Sequence, residues 1–211
     1  MRKSDKIPKG VTTLMFDVGN VLVDLDFNLL TARFKQLAQR DFRAELNIES
    51  ADSLFSRFDR GEISATQFCE ALQAYLIPGT THHEIADAWN ALITGFPPAK
   101  FELLQLLREH YRVIALSNIN ILHLNFIDRH LQETFQHPLR DFFDHAYYSF
   151  EMGARKPEAR IYDMVLQQED CSAENIFFID DLKANIEAAQ LQGFHTFHLT
   201  DRDQLLALFE W

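Results

Sequence analysis

Cysteine and long apolar runs are both scarce in this chain of 211 residues. Its two cysteines, Cys69 and Cys171, lie far apart without metal-ligand spacing, so we expect buried thiols in a cytoplasmic protein rather than a disulfide framework. No apolar run approaches the roughly 20 residues that cross a bilayer. The basic N-terminus is not followed by a long apolar stretch, which argues against a secretory signal.

Positive charge is also scarce, with 20 lysines and arginines against 31 aspartates and glutamates and a formal net charge of −11. Such a surface repels nucleic acid and anionic membranes, so we expect neither as a partner. A small anionic ligand is not excluded, because a bound metal and a few local cations can reverse the potential in one pocket. The sequence does not specify an oligomeric state.

Short β-like runs alternate with longer helical patterns over most of the chain. The predicted strands cover residues 11–16, 112–116, 146–148, 176–179 and 195–199. The helical patterns between them cover residues 101–109, 160–168 and 185–192. This alternation predicts an α/β fold in which helices cover both faces of a parallel sheet.

Residues 28–96 break the alternation, because they contain no convincing strand. Four amphipathic segments are predicted there, at 29–39, 51–58, 65–76 and 82–93. Ser64 is placed to cap the third of them. We predict an α/β core domain of residues 1–27 and 97–211, with residues 28–96 inserted as an all-helical cap domain over the sheet. A helical extension packed elsewhere is the alternative.

Carboxylates follow two of the predicted strands, at the edge where open parallel sheets form their sites. Asp17 ends the first strand, two residues before Gly19. A carboxylate there could attack phosphorus and form an aspartyl phosphate, although such an aspartate is more often part of a turn. Asp180 and Asp181 end the fourth strand, where two carboxylates are costly unless a cation such as Mg²⁺ holds them.

Two further positions extend this pattern of polar residues. Ser117 and Asn118 follow the second strand, where hydroxyl, amide and backbone N–H groups could bind a phosphate or simply cap a helix. Lys156 precedes Pro157, which suits the first turn of a helix. A lysine fixed there could neutralise a phosphate and the carboxylate of Asp17, whereas a solvated lysine is the alternative.

The order of these residues resembles the four sequence motifs of the haloacid dehalogenase superfamily, over nearly the whole chain. A helical insertion after the first motif is similar to the smaller, C1-type cap of that family. The segments FDVGNVLVDLDFN, RGEIS, LSN, KPEARIY and DDLKANIEAA look specifically like the subgroup that contains α-D-glucose-1-phosphate phosphatase.

The resemblance implies a Mg²⁺-dependent phosphatase with a Rossmann-like core. Its expected substrate is a small phosphorylated metabolite, and a sugar phosphate such as glucose 1-phosphate is favoured. The resemblance assigns roles to eight residues: Asp17 as nucleophile and metal ligand, Gly19 as metal ligand through its carbonyl, Ser117 and Asn118 as phosphate ligands, Lys156 as phosphate stabiliser, Asp180 and Asp181 as metal carboxylates with Asp181 preferred, and Asn185 as a supporting residue that orients the carboxylates.

Gly19 departs from the common pattern of the family. Typical phosphatases of the family carry an aspartate there, which protonates the leaving group and then activates water, a function worth roughly 10²–10⁴ in rate. The subgroup named above resembles this chain in having glycine. Asp24, Asp26 or Glu62 could replace the missing group, although each is more often a structural or surface carboxylate. A catalytically weak phosphosugar-binding protein, a phosphotransferase or mutase, and a 2-haloacid dehalogenase remain alternatives.

Overall fold

The computed structural model describes residues 6–39 and 52–209. Its strands are β1 (Thr13–Phe16), β2 (Asp24–Leu25), β3 (Ile93–Gly95), β4 (Arg112–Ser117), β5 (His145–Tyr148), β6 (Ile176–Asp180) and β7 (His195–His198). Its α-helices are α1 (Phe27–Leu37), α2 (Leu54–Asp59), α3 (Ala65–Gln73), α4 (His82–Asn90), α5 (Pro98–Leu107), α6 (Ile121–Phe135), α7 (Ser149–Met152), α8 (Ala159–Glu169), α9 (Lys183–Leu191) and α10 (Gln204–Leu208).

Five of the strands form one parallel sheet in the order β5-β4-β1-β6-β7. The central strand, β1, is buried along its length and pairs Phe16 with Ala115 of β4 and with Ile179 of β6. Parallel strands present their carboxyl ends at one edge, so the residues that follow β1, β4 and β6 meet there. The predicted α/β fold is confirmed.

Helices cover both faces of this sheet, because alternate strand residues point to opposite sides. Leu14 and Phe16 belong to one buried cluster, which includes Phe101 of α5. Met15 belongs to another cluster on the opposite face, with Val165 of α8 and Ile186 of α9. Each fully buried side chain of this size contributes about 1.5–3 kcal/mol of hydrophobic free energy.

The α6 helix, which was not predicted from the sequence, extends over 15 residues. Its buried residues Leu124, Ile127 and Leu131 are spaced by three and four, which is the period of a helix with one buried face. Asn120 caps it by accepting a hydrogen bond from the backbone N–H of His123. The same apolar spacing in the sequence could have predicted this helix.

Helices α1 to α4, here called the cap helices, correspond to the four predicted amphipathic segments; residue 51 of the second segment lies outside the described residues. Ser64 caps α3 as predicted, within a reciprocal capping box with Gln67. Apolar faces of the four helices form a separate core, in which the rings of Phe58 and Phe68 stack at 4.2 Å. No helix of the described residues is both long and apolar enough to cross a membrane.

The expectation of no strand in residues 28–96 is wrong at β3, which pairs antiparallel with β2. Strands of two and three residues are too short to show an alternating pattern in the sequence. The pairing brings the two ends of the cap helices together, with Leu25 opposite Ile93. The division into domains at residues 27/28 and 96/97 stays a prediction.

Candidate active site

Three neighbouring strands bring the predicted polar residues to one edge of the sheet. Asp17 follows β1 directly, Ser117 is the last residue of β4, and Asp180 is the last residue of β6. Because β1 lies between β4 and β6, Asp17 sits between the other two strand ends. The backbone N–H of Asp17 donates to the carbonyl of Ile179 at 2.9 Å, which fixes the turn at its start.

Lys156 is buried against two of these carboxylates. Its Nζ lies 2.8 Å from Oδ1 of Asp17 and 2.7 Å from Oδ2 of Asp180, and its side chain is only 1% exposed. Asn118 fixes the Lys156 backbone, because its side-chain amide donates to the Lys156 carbonyl and accepts from the Lys156 N–H, each at 2.8 Å. The alternative of a solvated lysine is therefore wrong.

The Lys156-Pro157 pair precedes a helix instead of forming its first turn. The α8 helix begins at Ala159, and Glu158 is its N-cap. The expected place of Pro157 within the helix is wrong, but the side chain of Lys156 nevertheless reaches Asp17.

Asp17, Asp180 and Asp181 form a cluster in which one carboxylate oxygen from each residue lies within 4.8 Å of the other two. Both oxygens of Asp180 accept hydrogen bonds from the Asn185 amide at 3.0 Å, and one also accepts from the Leu182 N–H at 2.8 Å. Asp180 is fully buried and surrounded by donors, and the Asn185 amide contacts Asp180, one member of the pair that it was expected to orient. Asp181 is half-buried and lines the cavity in front of Asp17.

The electrostatics of the cluster show a deficit of positive charge. Burial raises the pKa of Asp17 to about 7, Lys156 opposes this shift, and the nearby Asp180 adds to it. Burial also disfavours the Lys156 ammonium, but Asp17 and Asp180 outweigh that effect and raise its pKa. When all three carboxylates are ionised, the single ammonium of Lys156 leaves two negative charges uncompensated. A divalent cation with oxygen ligands, such as Mg²⁺, fits both this charge and these donors.

Asn20 belongs to the same site, although it was not predicted. Its backbone has φ of 54°, in the left-handed region that asparagine tolerates better than most residues. Its side-chain Nδ2 donates to Oδ2 of Asp181 at 3.0 Å, while its Oδ1 accepts from Arg202 at 3.0 Å. Asn20 therefore orients Asp181. An asparagine directly after Gly19 is a turn signal that could have indicated it.

The space beside Gly19 is filled by Leu25. A Cβ added at Gly19 would lie 2.8 Å from Cδ1 of Leu25, closer than a normal carbon–carbon contact. The backbone of Gly19 is outside the left-handed region, so φ permits a side chain here, but the end of the Leu25 side chain would have to shift to make room for it.

The three carboxylates considered as replacements for an acid at position 19 have other partners. Asp24 lies 3.8 Å from Lys100 and 3.6 Å from Arg202. Asp26 caps α1 by accepting from the backbone of Asn28. Glu62 is within 3.7 Å of arginines 57 and 60, both on or next to α2.

Another carboxylate, Asp59 at the end of α2, lines the cavity and was not predicted. It lies 3.6 Å from Arg155 and accepts a hydrogen bond from Asn120 at 3.3 Å. Burial raises its pKa, while Arg155 and Asn120 oppose the shift. The sequence does not show that Asp59 lines the cavity beside Arg155, because the loop that holds Arg155 is nearly a hundred residues away along the chain.

A cavity of about 590 Å³ connects the strand ends to the cap helices. The predicted residues that line it are Asp17, Gly19, Ser117, Asn118, Lys156, Asp181 and Asn185. Phe34 of α1 and Trp89 of α4 line the same cavity from the other side. The cap helices therefore lie over the carboxyl edge of the sheet.

A family model described as haloacid dehalogenase-like hydrolase matches residues 11–193. Among curated proteins, the chain is 27% identical over 187 residues to a D-ribitol-5-phosphate phosphatase of Bacteroides thetaiotaomicron, covering 89% of this chain and 91% of that protein. It is 32% identical over 190 residues to the sesquiterpene phosphatase astK of Aspergillus oryzae, covering 89% of each.

Among solved structures, the fold matches a haloacid dehalogenase family enzyme of Bacteroides thetaiotaomicron with a TM-score of 0.81. The two chains are 29% identical, and the match covers 89% of this chain and 93% of the other. That crystal structure contains magnesium and inorganic phosphate.

Proposed function

The chain belongs to the haloacid dehalogenase-like hydrolase family and is a phosphatase of that type; from this premise we propose that it hydrolyses a small phosphomonoester through an aspartyl phosphate on Asp17. The observation that carries the proposal is the contact of Asp17 with Lys156 inside the carboxylate cluster, at the inner end of a cavity. A nucleophilic carboxylate needs a neighbouring cation that opposes its repulsion by the phosphate dianion, and Lys156 is in position to supply it.

The reaction has two steps at Asp17. In the first, a carboxylate oxygen of Asp17 forms a bond to phosphorus while the ester P–O bond breaks, and the departing alcohol oxygen takes up a proton. In the second, water attacks the aspartyl phosphate and loses a proton, which regenerates the Asp17 carboxylate and releases inorganic phosphate. Lys156 holds Asp17 in place and offsets negative charge throughout.

The cofactor of this phosphatase is Mg²⁺, which when bound offsets charge on the phosphate and the carboxylates. We assign it to Asp17, Asp181 and the carbonyl of Gly19. Asp180 has its oxygens occupied by Lys156, Asn185 and the Leu182 N–H, which supports a role in holding Lys156. Ser117 and Asn118 border the phosphate position, and the amide side chain of Asn118 fixes the Lys156 backbone.

The substrate expected from the motifs, a sugar phosphate such as glucose 1-phosphate, stays a prediction. The two curated relatives are named for unlike alcohols, a polyol and a sesquiterpene. Both names describe a phosphatase, but the alcohol that leaves differs between them. Expectations about cytoplasmic location and the absence of nucleic-acid and membrane partners also stay predictions.

The direct test is phosphate release from a panel of phosphomonoesters, with Mg²⁺ or with EDTA. We expect release with Mg²⁺ only, and a decrease of at least about 10⁴-fold in Asp17→Asn. Thermal unfolding of the variant provides the control, because a folded but inactive Asp17→Asn assigns the loss to chemistry. Release that persists in folded Asp17→Asn would overturn the role of Asp17.

A further inference from the structure

The wall of the cavity opposite Asp17 is apolar. Among the described residues, the cap helices contribute Leu30 and Phe34 from α1, Phe55 from α2 and Trp89 from α4. The rings of Phe55 and Trp89 stack at 5.2 Å with planes 21° apart, so part of this wall is one continuous aromatic surface. A surface of this kind favours a hydrocarbon over a hydroxylated ligand.

Lys35 of α1 also lines the cavity and is exposed, but several other polar side chains of the lining are engaged with the protein. Thr31 donates from Oγ1 to a backbone carbonyl of its own helix, and Gln39 donates to the carbonyl of Leu76. His123 is held neutral by burial, which lowers its pKa to about 3, and its Nδ1 lies 2.9 Å from the Asn90 amide oxygen. A sugar lying against the apolar side chains of this wall would bury hydroxyls without partners, and each unpaired polar group weakens binding by about tenfold or more.

Arg155 also lines the cavity, and its Nε is buried without a hydrogen-bond partner. Its other nitrogens contact Ser56 at 2.9 Å and Asp59 at 3.6 Å. The Nε of Arg155 is therefore not accessible to a ligand, and its terminal nitrogens are turned toward Ser56 and Asp59.

The rim of the cavity adds independent support. Phe27 and Leu182 both line the cavity, yet these residues are 60% and 54% exposed to solvent. Leu182 directly follows Asp181, so apolar surface begins beside the carboxylate cluster. Large exposed apolar side chains at the rim of a cavity are typical of a site that an apolar ligand covers.

We propose that the alcohol part of the substrate is a hydrocarbon of roughly ten carbons, lying against the cap helices while its phosphate lies at Asp17. This inference rests on the proposed function, which places the phosphate. The volume of about 590 Å³ equals that of about twenty water molecules, so space for an organic group of this size remains beyond a phosphate. The sugar phosphate expected from the motifs is the competing substrate class.

A series of linear monoalkyl phosphates from two to twelve carbons, each below its micelle concentration, tests the proposal with Mg²⁺ present. We expect kcat/KM to rise by about threefold to fourfold for each methylene until the cavity is filled. Decyl phosphate should exceed glucose 1-phosphate and ribitol 5-phosphate by at least about tenfold. No dependence on chain length, with the sugar or polyol ester preferred, would overturn the inference and leave the phosphatase intact.

Two variants on α1 assign the preference to the cavity. Phe27→Ser removes an apolar contact at the rim, and we expect the ratio of kcat/KM for decyl phosphate to that for ethyl phosphate to fall by about tenfold. Leu29→Ser is the matched control, because Leu29 is 45% exposed on the same helix and lies outside the cavity. An equal change of the ratio in both variants would contradict the proposed position of the chain.

Binding of decylphosphonate, which carries no ester bond to hydrolyse, separates this inference from the proposed function. Calorimetry should show saturable binding with a negative heat-capacity change, the signature of apolar burial, and weaker binding in Phe27→Ser. If no ester in the panel releases phosphate, the proposed function fails, and decylphosphonate still decides the apolar site. Absence of decylphosphonate binding at millimolar concentration would overturn the site itself.

Discussion

The sheet end and the helical end of the cavity are stabilised by different interactions. At the sheet end, Lys156 lies between the buried carboxylates of Asp17 and Asp180. At the helical end, Phe55, Phe68 and Trp89 pack ring against ring. Buried charges are tolerated only while paired, whereas apolar contacts are individually weak and can be exchanged for others of similar volume. We infer that the chemical step depends on residues at the sheet end that cannot be exchanged. The preference for a leaving group can change when the apolar side chains of the cap helices are replaced.

The two ends also meet through the backbone. Gly61 follows α2 with φ of 69°, and a Cβ there would lie 2.2 Å from the carbonyl oxygen of Phe150. Beside it, Arg60 and Glu158 form an ion pair at 2.7 Å. Gly61 therefore allows α2 to approach α7 more closely than any other residue would, and the cap helices sit close to the strand ends.

The comparison predicts its largest effect for Lys156→Met in EDTA. The substitution leaves Asp17 and Asp180 buried without their cation, and we expect the free energy of unfolding to fall by about 3–5 kcal/mol. Urea denaturation measures this difference.

Lys183→Met serves as the control for that variant, because Lys183 is 76% exposed on α9. We expect it to change the free energy of unfolding by less than about 0.5 kcal/mol. Equal losses in the two variants would mean that the buried ion pairs contribute no more than a surface lysine.

The absence of a carboxylate at Gly19 should be visible in the rates of the two chemical steps at the sheet end. Without a carboxylate at this position, hydrolysis of the aspartyl phosphate should be slower than its formation from an activated ester. We expect a burst of p-nitrophenol from p-nitrophenyl phosphate in stopped flow, followed by slower turnover. Linear release from the first turnover would mean that another group activates water, and Asp59 would be the first carboxylate to replace.

The structure improves the design of a gain-of-function variant at this position. Gly19→Asp alone requires the end of the Leu25 side chain to shift, so we expect only part of the possible gain. Gly19→Asp combined with Leu25→Ala relieves that contact, and the slow phase should accelerate by up to about 10²-fold. Leu25→Ala alone is the control for the loss of the leucine. Equal rates of the slow phase in Gly19→Asp and in the double variant would refute the explanation that Leu25 limits the effect of an aspartate at this position.

A smaller effect is expected for Asn20→Gly, which removes the hydrogen bond to Asp181 but keeps a residue that tolerates the left-handed backbone. Loss of a partner that orients a metal carboxylate typically lowers metal affinity by about 10–100-fold. The Mg²⁺ concentration needed to raise Tm should increase accordingly.

Gln136→Gly is the matched control for Asn20→Gly, because Gln136 has φ of 62° at the end of α6. It should leave the Mg²⁺ dependence of Tm unchanged. If both variants shift this dependence equally, the effect comes from the backbone and not from the contact with Asp181.

The smallest effect is expected within the cap helices, for Ser64→Ala. Loss of the capping box of α3 should lower the free energy of unfolding by about 1 kcal/mol, as measured by urea denaturation. Ser172→Ala is the control, since Ser172 precedes a 3-10 helix without a side-chain capping bond. A loss in Ser64→Ala as large as that in Lys156→Met would remove the energetic difference between the two ends.

The sequence predicted those site residues that strand ends dictate. Asp17 and Asp180 follow apolar runs, and the geometry of a parallel sheet then brings them together. Lys156 was identified from a motif, although its burial could not be read from the chain. The resemblance to a known family supplied the roles that spacing alone leaves open.

The residues that were missed depend on contacts between distant segments. Leu25 matters because its side chain lies beside Gly19, and Asp59 matters because the fold places it near Arg155. Neither contact leaves a periodic signal in the sequence. The apolar character of the cavity has the same origin, since it depends on which faces of the cap helices are left uncovered after packing.

Pairing of β2 with β3 has a consequence for how such a protein can diversify. Because Leu25 and Ile93 are paired, the chain leaves the sheet region and returns to it at one place. The entropy of closing the intervening loop grows slowly with length, by about 0.6 kcal/mol for each doubling. Residues between the two strands can therefore be lengthened, shortened or exchanged with little penalty to the sheet. Recombination at this junction offers a route by which one phosphoryl-transfer centre acquires new leaving groups.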